Sequence, residues 1–127
     1  MRVLADTNVM IDYMKRPSDA MIEFFQNNDI VLCGVVISEL MHGAVSEKQL
    51  FSLQNDLSLY ECLRINANDW YQLGMFLYRL RKNDLTVPYP DAIIAYIAIN
   101  NEVPVWTNDA HFRLIQEAEK NLKLYNL

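Results

Sequence analysis

VLADTNVMIDYM, residues 3–14, is the stretch that decides the fold. Val3–Ala5 is a short apolar run typical of a buried β-strand, and the polar Asp6–Asn8 that follows indicates a turn. Apolar residues then recur at helical spacing, with Met10 and Met14 four positions apart. The stretch therefore predicts a strand, a turn and a helix, with an aspartate directly after the strand.

The same alternation of strand and helix continues along the chain. Further strands are predicted at residues 30–33, 60–65, 104–106 and 122–125, with helices between them. No Asn-Gly or Asp-Gly pair separates two strand candidates, so helices rather than hairpin turns should join consecutive strands. This order favours an α/β fold with a central parallel β-sheet flanked by α-helices on both faces. At 127 residues, the length favours a single domain over residues 1–127.

Polar residues predict where several helices begin and end. Ser18 and Ser46 are expected to cap the starts of two helices, and Asn66 together with Asp69 is expected to cap the longest one. Asn83 is expected to end that helix in the left-handed conformation. Asp91 is expected to open an almost wholly apolar helix over residues 92–99.

Four acidic residues fall at positions that this fold would bring to one edge of the sheet. Asp6 follows the first strand, and Asp109 lies three residues after Trp106, at the end of a later strand. Glu39 is expected in the first turn of the helix after the second strand. The helix of Asp91 must run antiparallel to the strand that follows it, so its start returns to the same edge, where ligands bind in open parallel sheets.

Carboxylates gathered at one edge would repel one another and raise one another's pKa unless a cation neutralised them. Hard, oxygen-preferring ions such as Mg²⁺ or Mn²⁺ fit such a site. No Cys or His pair in the chain has the spacing of zinc ligands. Each acid taken singly also fits the ordinary role of a helix N-terminal residue stabilised by the helix dipole, which is the alternative interpretation.

The net charge excludes one simple class of nucleic-acid-binding protein. Eleven Lys and Arg against sixteen Asp and Glu give −5, the wrong sign for binding by phosphate neutralisation alone. A metal that cancelled four carboxylates would change this value from −5 to −1. The placement of the acids therefore matters more than their number.

The sequence predicts a cytoplasmic protein. Its longest weakly polar stretch, residues 92–99, is far shorter than the ~20 residues of a membrane span, and no signal peptide is recognisable. Cys33 and Cys62 each lie in an apolar, strand-like run, so both are expected to be buried and reduced.

The chain resembles the PIN domains, and within them the VapC-type toxins of toxin–antitoxin pairs. The resemblance covers nearly the full length and rests on four motifs in order. They are Val3–Val9, Ile37–Leu40 with Gly43, Pro90–Ala95 and Trp106–Phe112. One such motif is a weak signal, whereas four at suitable intervals are a strong one.

The resemblance implies a metal-dependent endoribonuclease that uses Mg²⁺ or Mn²⁺ and leaves a 5′-phosphate and a 3′-hydroxyl. It implies that catalysis and metal binding belong to Asp6, Glu39, Asp91 and Asp109. Asn8 would support the site by positioning a ligand carboxylate, and Thr107 by positioning an ordered water. The resemblance further implies an RNA substrate, a homodimer and a cognate VapB-type antitoxin whose tail occupies the active-site groove.

Other functions remain as alternatives. The chain could be a stand-alone PIN nuclease without an antitoxin, or a non-catalytic dimeric protein that binds a partner. A response-regulator receiver domain would need a second acid beside Asp6 and a Lys after the late strand, where Trp106-Thr107 stands. A di-iron helical bundle would need a second pair like Glu39 and His42.

Several residues have both a functional and a structural interpretation. Five basic residues could guide the RNA backbone, although such residues more commonly form an ordinary solvated helix surface. They are Lys15, Arg16, Arg79, Arg81 and Lys82. Tyr13 and Tyr89 could stack on unpaired bases, although packing is the commoner role. His111 is expected to pack beside Phe112.

Overall fold

The computed structural model describes residues 1–126, which form seven helices and a five-stranded sheet. The strands are β1 (Arg2–Ala5), β2 (Asp29–Cys33), β3 (Glu61–Leu63), β4 (Val105–Trp106) and β5 (Leu124–Tyr125). The helices are α1 (Thr7–Lys15), α2 (Asp19–Asn27), α3 (Gly34–His42), α4 (Glu47–Leu57), α5 (Asp69–Lys82), α6 (Tyr89–Asn100) and α7 (His111–Ala118).

The sheet is parallel throughout, with the strand order β3-β2-β1-β4-β5. From β1 the chain moves outward to β2 and β3, then returns to the other side of β1 for β4 and β5. Every residue from Val3 to Ala5 and from Ile30 to Cys33 is buried. Because successive strand residues point to opposite faces, helices must cover both faces of the sheet. The predicted α/β architecture is confirmed.

Helix α6 supplies much of the core. Ala92 and all residues from Ile94 to Ala98 are buried, so this helix packs on more than one side. It is nevertheless short, and no helix within residues 1–126 has the length and apolar character needed to cross a membrane.

Two helices begin earlier than the sequence predicts. Helix α6 starts at Tyr89 rather than after Asp91, because Pro90 fits the first turn of a helix, where its missing N–H has no partner to lose. Helix α3 starts directly at Gly34, which places Glu39 in the second turn instead of the first. Asp91 and Glu39 therefore each lie about one turn or less further into a helix than expected.

The predicted caps are partly confirmed. The hydroxyls of Ser18 and Ser46 each accept a hydrogen bond from a backbone N–H in the first turn, at 3.1 Å. The side chain of Asn66 does not cap α5; instead its backbone N–H donates to Asp69 Oδ2 at 2.7 Å. Asn83 is not left-handed, with φ at −91°; the next residue, Asp84, takes that conformation with φ at 58°.

The prediction for the cysteines is half wrong. Both thiols are free, but only Cys33, in the central part of the sheet, is buried. Cys62 lies on β3, the edge strand, and is exposed. Burial raises the pKa of the Cys33 thiol to about 11, so this side chain stays protonated and unreactive at neutral pH.

Candidate active site

Asp6 lies where the strand order of the sheet reverses, between β1 and β4. Its backbone N–H donates to the carbonyl of Trp106 at 2.9 Å, which holds the ends of the two strands together. The residue caps α1, and its Oδ1 accepts from Thr7 N at 2.8 Å. Only 4% of Asp6 is exposed, so the carboxylate is fixed at the crevice where open α/β sheets bind ligands.

Thr107 connects Asp6 to a second acid. Its hydroxyl donates to Asp6 Oδ2 at 2.7 Å and accepts from the backbone N–H of Asp109 at 2.9 Å. Thr107 is itself buried, and its hydrogen bond to Asp6 is shielded from water. One hydroxyl therefore orients the Asp6 carboxylate and fixes the backbone of Asp109.

Burial raises the pKa of Asp6, and the negative charges of Asp109 and Glu39 raise it further. The hydrogen bonds from Thr107 and Thr7 oppose this rise because they favour the ionised form. Asp6 is thus a carboxylate held in place by donors but short of positive charge. A cation at this position would remove the repulsion.

Glu39 reaches the site from α3. Its Oε1 accepts a hydrogen bond from the hydroxyl of Thr7 at 2.8 Å, which joins α3 to the first residue of α1. Glu39 is exposed, unlike Asp6. It therefore lies on the solvent side of the cluster, with Thr7 fixing its direction.

Asp91 and Asp109 meet at the starts of α6 and α7, and His111 joins them. His111 Nδ1 lies 3.0 Å from Asp91 Oδ2 and 3.0 Å from Asp109 Oδ1. The backbone N–H of His111 also donates to Asp109 Oδ1, at 2.9 Å. The Asp91 side chain is 15% exposed and that of Asp109 27%, so both carboxylates are accessible from one side.

The pKa of Asp91 is also raised. Burial is the main cause, the hydrogen bond from His111 opposes it, and the charges of Asp109 and Asp6 add to it. Asp6 thus interacts electrostatically with Glu39, Asp109 and Asp91. The structure brings the four predicted acids together at the carboxyl edge of the sheet.

Of the two residues predicted to support the site, one contacts the acids and the other does not. Thr107 contacts the acidic cluster directly through Asp6. Asn8 is exposed, and among residues 1–126 no hydrogen bond joins its side chain to the four acids. Its neighbour Thr7 makes the contact with Glu39 instead.

His111 is a site residue that sequence reasoning missed. It was expected to pack beside Phe112, yet its ring contacts two of the acids. The signal available in the sequence was its position two residues after Asp109, at the start of a helix. That spacing places both side chains at the same end of α7.

Three of the five basic residues with a possible RNA-guiding role are engaged with the protein itself. Arg79 pairs with Glu119 at 3.0 Å, and the charged groups of Arg81 and Lys82 lie 5.5 and 5.7 Å from the ring centre of Tyr78. Tyr13 and Tyr89 are the two residues with a possible role in base stacking. The ring of Tyr13 is stacked on Phe25, which favours its packing role, whereas Tyr89 is exposed at the start of α6.

The donor atoms of the site fit a divalent cation. Ligand atoms of Asp91, Asp109 and His111 all lie within 4.8 Å of one another. The remaining acids, Asp6 and Glu39, contribute further carboxylate oxygens, which are the ligands that Mg²⁺ and Mn²⁺ prefer. Burial and neighbouring carboxylates raise the pKa values of Asp6 and Asp91, and a cation bound here would favour their ionised forms.

Together, the parallel sheet and its carboxylates define an α/β protein with an acidic ligand site at the reversal of strand order. The sequence profile of the PIN domain family matches residues 3–118. The chain therefore belongs to the PIN domain family.

Known proteins resemble the chain along nearly its full length. A protein named ribonuclease VapC1 from Methanocaldococcus jannaschii is 29% identical over 126 residues, covering 98% of this chain and 88% of that protein. Similar folds occur in two crystal structures. VapBC2 from Rickettsia felis, bound to a DNA fragment from their promoter, has a TM-score of 0.79 at 23% identity, covering 100% of this chain and 99% of that one. VapBC-1 from nontypeable Haemophilus influenzae has a TM-score of 0.81 at 20% identity, covering 99% and 98%.

Proposed function

We propose that the protein is a metal-dependent endoribonuclease and the toxin of a toxin–antitoxin pair. The observation that carries this proposal is the convergence of Asp6, Glu39, Asp91 and Asp109 at one sheet edge of a PIN domain. The relative named ribonuclease VapC1 supports RNA as the substrate. RNA and the free thiols also fit the cytoplasm, where we place the protein.

Asp6, Asp91 and Asp109 would hold the cation, Mg²⁺ or Mn²⁺, with Glu39 completing the site from the solvent side. When bound, the cation supplies charge neutralisation for the scissile phosphate and lowers the pKa of water. The four carboxylates would otherwise repel the phosphate, so RNA binding at this edge depends on that neutralisation.

The protein's own contribution is to hold the carboxylates in fixed positions. Thr107 orients Asp6, and Thr7 orients Glu39. Each Asp6 oxygen accepts one hydrogen bond and keeps a further lone pair for a ligand, and the Thr7 hydroxyl engages only Oε1 of Glu39. Asp91 and Asp109, at the starts of α6 and α7, would each offer a carboxylate oxygen to the same ion.

The acidic edge also suits an inhibitory partner. We propose a VapB-type antitoxin whose tail lies in the active-site groove, with a basic side chain among the carboxylates in place of the cation. The names VapBC2 and VapBC-1 of the two similar structures combine VapB with VapC. Their similarity in fold supports a pairing of this protein with a VapB-type antitoxin. A homodimer is proposed on the exposed apolar side chains of α5, which include Trp70, Tyr71, Met75 and Tyr78.

Cleavage of end-labelled transfer and ribosomal RNA tests the nuclease. Purified, antitoxin-free protein should give discrete products with Mg²⁺ or Mn²⁺ and none with EDTA. Products of the same size in EDTA would contradict a metal-dependent mechanism. A folded protein that cleaves no RNA under any of these conditions would favour the non-catalytic alternative.

Mass measurement tests the partner. Co-expression with the gene adjacent to that of this protein should give a complex larger than the isolated protein, and the complex should be inactive until the partner is removed. An adjacent gene product that neither binds nor inhibits would favour a stand-alone PIN nuclease. The mass of the isolated protein should be that of two chains, and a monomer would contradict the dimer.

A further inference from the structure

His111 offers the site a donor of a different chemical kind from its carboxylates. Nδ1 of the ring lies 3.0 Å from an oxygen of Asp91 and 3.0 Å from an oxygen of Asp109. This nitrogen is hydrogen-bonded to Asp91 and lies at ion-pair distance from Asp109. It therefore occupies a position directly beside both of the proposed metal ligands.

The position of the ring is determined by the start of α7. His111 is the first residue of the helix, and its backbone N–H donates to Asp109 Oδ1 at 2.9 Å. The next residue, Phe112, is fully buried and anchors the helix start in the core. The His111 side chain is 42% exposed, so it combines a fixed backbone with access to solvent.

The spacing of the donor atoms is that of neighbouring ligands around one ion. Two ligands at adjacent corners of an octahedron, each about 2.1 Å from the ion, are about 3.0 Å apart. Nδ1 has this separation from both carboxylate oxygens, and all three donors lie within 4.8 Å of one another. An ion could thus replace the hydrogen bonds with little movement of the ring.

We propose that His111 is a nitrogen ligand of the metal and makes the site bind Mn²⁺ in preference to Mg²⁺. This inference rests on the proposed function, because it concerns the same ion. Carboxylate oxygens alone accept both ions, whereas an imidazole nitrogen favours first-row transition metals over the harder Mg²⁺. His111 therefore determines which of the two ions the site selects.

The chain provides a matched control for the test. It contains two histidines, and the other, His42, lies at the exposed end of α3. The variants His111→Gln and His42→Gln each remove one imidazole. Circular dichroism and the melting temperature in EDTA establish that both variants are folded.

Pulsed electron paramagnetic resonance of the Mn²⁺-loaded protein detects a coordinated nitrogen directly. We expect ¹⁴N modulation of the electron spin echo in the wild type and in His42→Gln, and its loss in His111→Gln. In competition titrations, the preference for Mn²⁺ over Mg²⁺ should fall about tenfold in His111→Gln and stay unchanged in His42→Gln.

The outcomes separate this inference from the proposed nuclease. Mn²⁺ binding without ¹⁴N modulation in the wild type would overturn the role of His111 and leave the nuclease proposal standing. An equal loss of Mn²⁺ and Mg²⁺ affinity in His111→Gln would likewise overturn it, since that result indicates a residue that only positions the acids. A wild-type protein that binds neither ion would contradict both proposals.

Discussion

Thr107 shows how much of the site depends on one buried hydroxyl. It bonds to the Asp6 carboxylate and to the backbone N–H of Asp109 at once, so replacing it removes one of the two hydrogen bonds to Asp6 and the partner of that N–H. The positions of Asp6, Asp91 and Asp109 could be read from the sequence, because each follows a strand or lies in the first turn of a helix, whereas Glu39 lies one turn further into α3 than expected. The contacts of Thr7, Thr107 and His111 could not, because they depend on how separate elements pack.

Thr107→Val should destabilise the protein by about 1–3 kcal/mol, since the buried Asp6 carboxylate and the partly buried backbone N–H of Asp109 each lose a hydrogen bond. It should also weaken Mn²⁺ binding about tenfold, because Asp6 loses the donor that orients it. Urea denaturation in EDTA and a Mn²⁺ titration measure the two effects. Thr107→Ser keeps the hydroxyl and should retain the metal affinity; a Val variant that binds Mn²⁺ as tightly as the wild type would refute the role of Thr107.

Asp91→Asn should raise the melting temperature in EDTA at pH 7 by roughly 2–5 °C. Burial and like charges raise the pKa of Asp91, so the folded state holds its proton more tightly than the unfolded state does. The stability from this group is complete below the ordinary value of 3.8 and is lost as pH rises through the raised folded-state pKa. At pH 7 the wild type has lost it, whereas Asn carries no charge.

Thermal melts at several pH values check this prediction. The advantage of Asp91→Asn over the wild type should shrink as the pH falls towards 3.8. Asp19→Asn is the matched control, because Asp19 is also an acid in the first turn of a helix but lies on the exposed part of α2. An advantage that is equal at all pH values would show that the charge of Asp91 is not its cause.

At the scale of elements, α5 and α6 end with the same motif. An Asn donates its side-chain amide to a carbonyl four residues earlier at 2.8 Å, and the next residue is left-handed. The residue after that donates back to the carbonyl five positions before it, Leu85 to Leu80 and Val103 to Ala98. This is the Schellman arrangement. The sequence indicated each helix end through Asn, but the left-handed residue is the one that follows it.

Glu102→Gly should stabilise the protein by about 1 kcal/mol. Glu102 has φ at 54°, a conformation that costs an L side chain energy and glycine nothing. Asp84→Gly, with φ at 58°, should give a smaller gain because Asp tolerates this conformation better than Glu. Urea denaturation measures both, and destabilisation by Glu102→Gly would contradict the motif as the source of strain.

At the scale of the whole molecule, alternation along the chain was enough to predict the parallel sheet and the edge that carries the acids. The bounds of the strands were harder to predict, because β4 and β5 comprise two residues each and are defined by their pairing with neighbouring strands. Helix α6 starts earlier than predicted because its first turn includes Pro90. Whether a helix includes such a Pro depends on the turn before it. The placement of the acids was therefore more predictable than the element boundaries and side-chain contacts around them.

Metal binding should stabilise the whole fold, since Asp6, Asp91 and Asp109 come from three separate elements that the ion would join. At a Mn²⁺ concentration about 100-fold above its dissociation constant, the gain should be about 2.7 kcal/mol. The melting temperature of the wild type should rise accordingly, and that of Asp91→Asn should rise far less. Equal rises in both proteins would place the bound ion elsewhere.

The most direct test of the account is RNA cleavage by the wild type, Asp91→Asn and Asp19→Asn in Mn²⁺ and in EDTA. We expect discrete, metal-dependent products from the wild type and from Asp19→Asn, and none from a folded Asp91→Asn. Cleavage by Asp91→Asn at the wild-type rate would contradict the assignment of the acidic edge as the catalytic site.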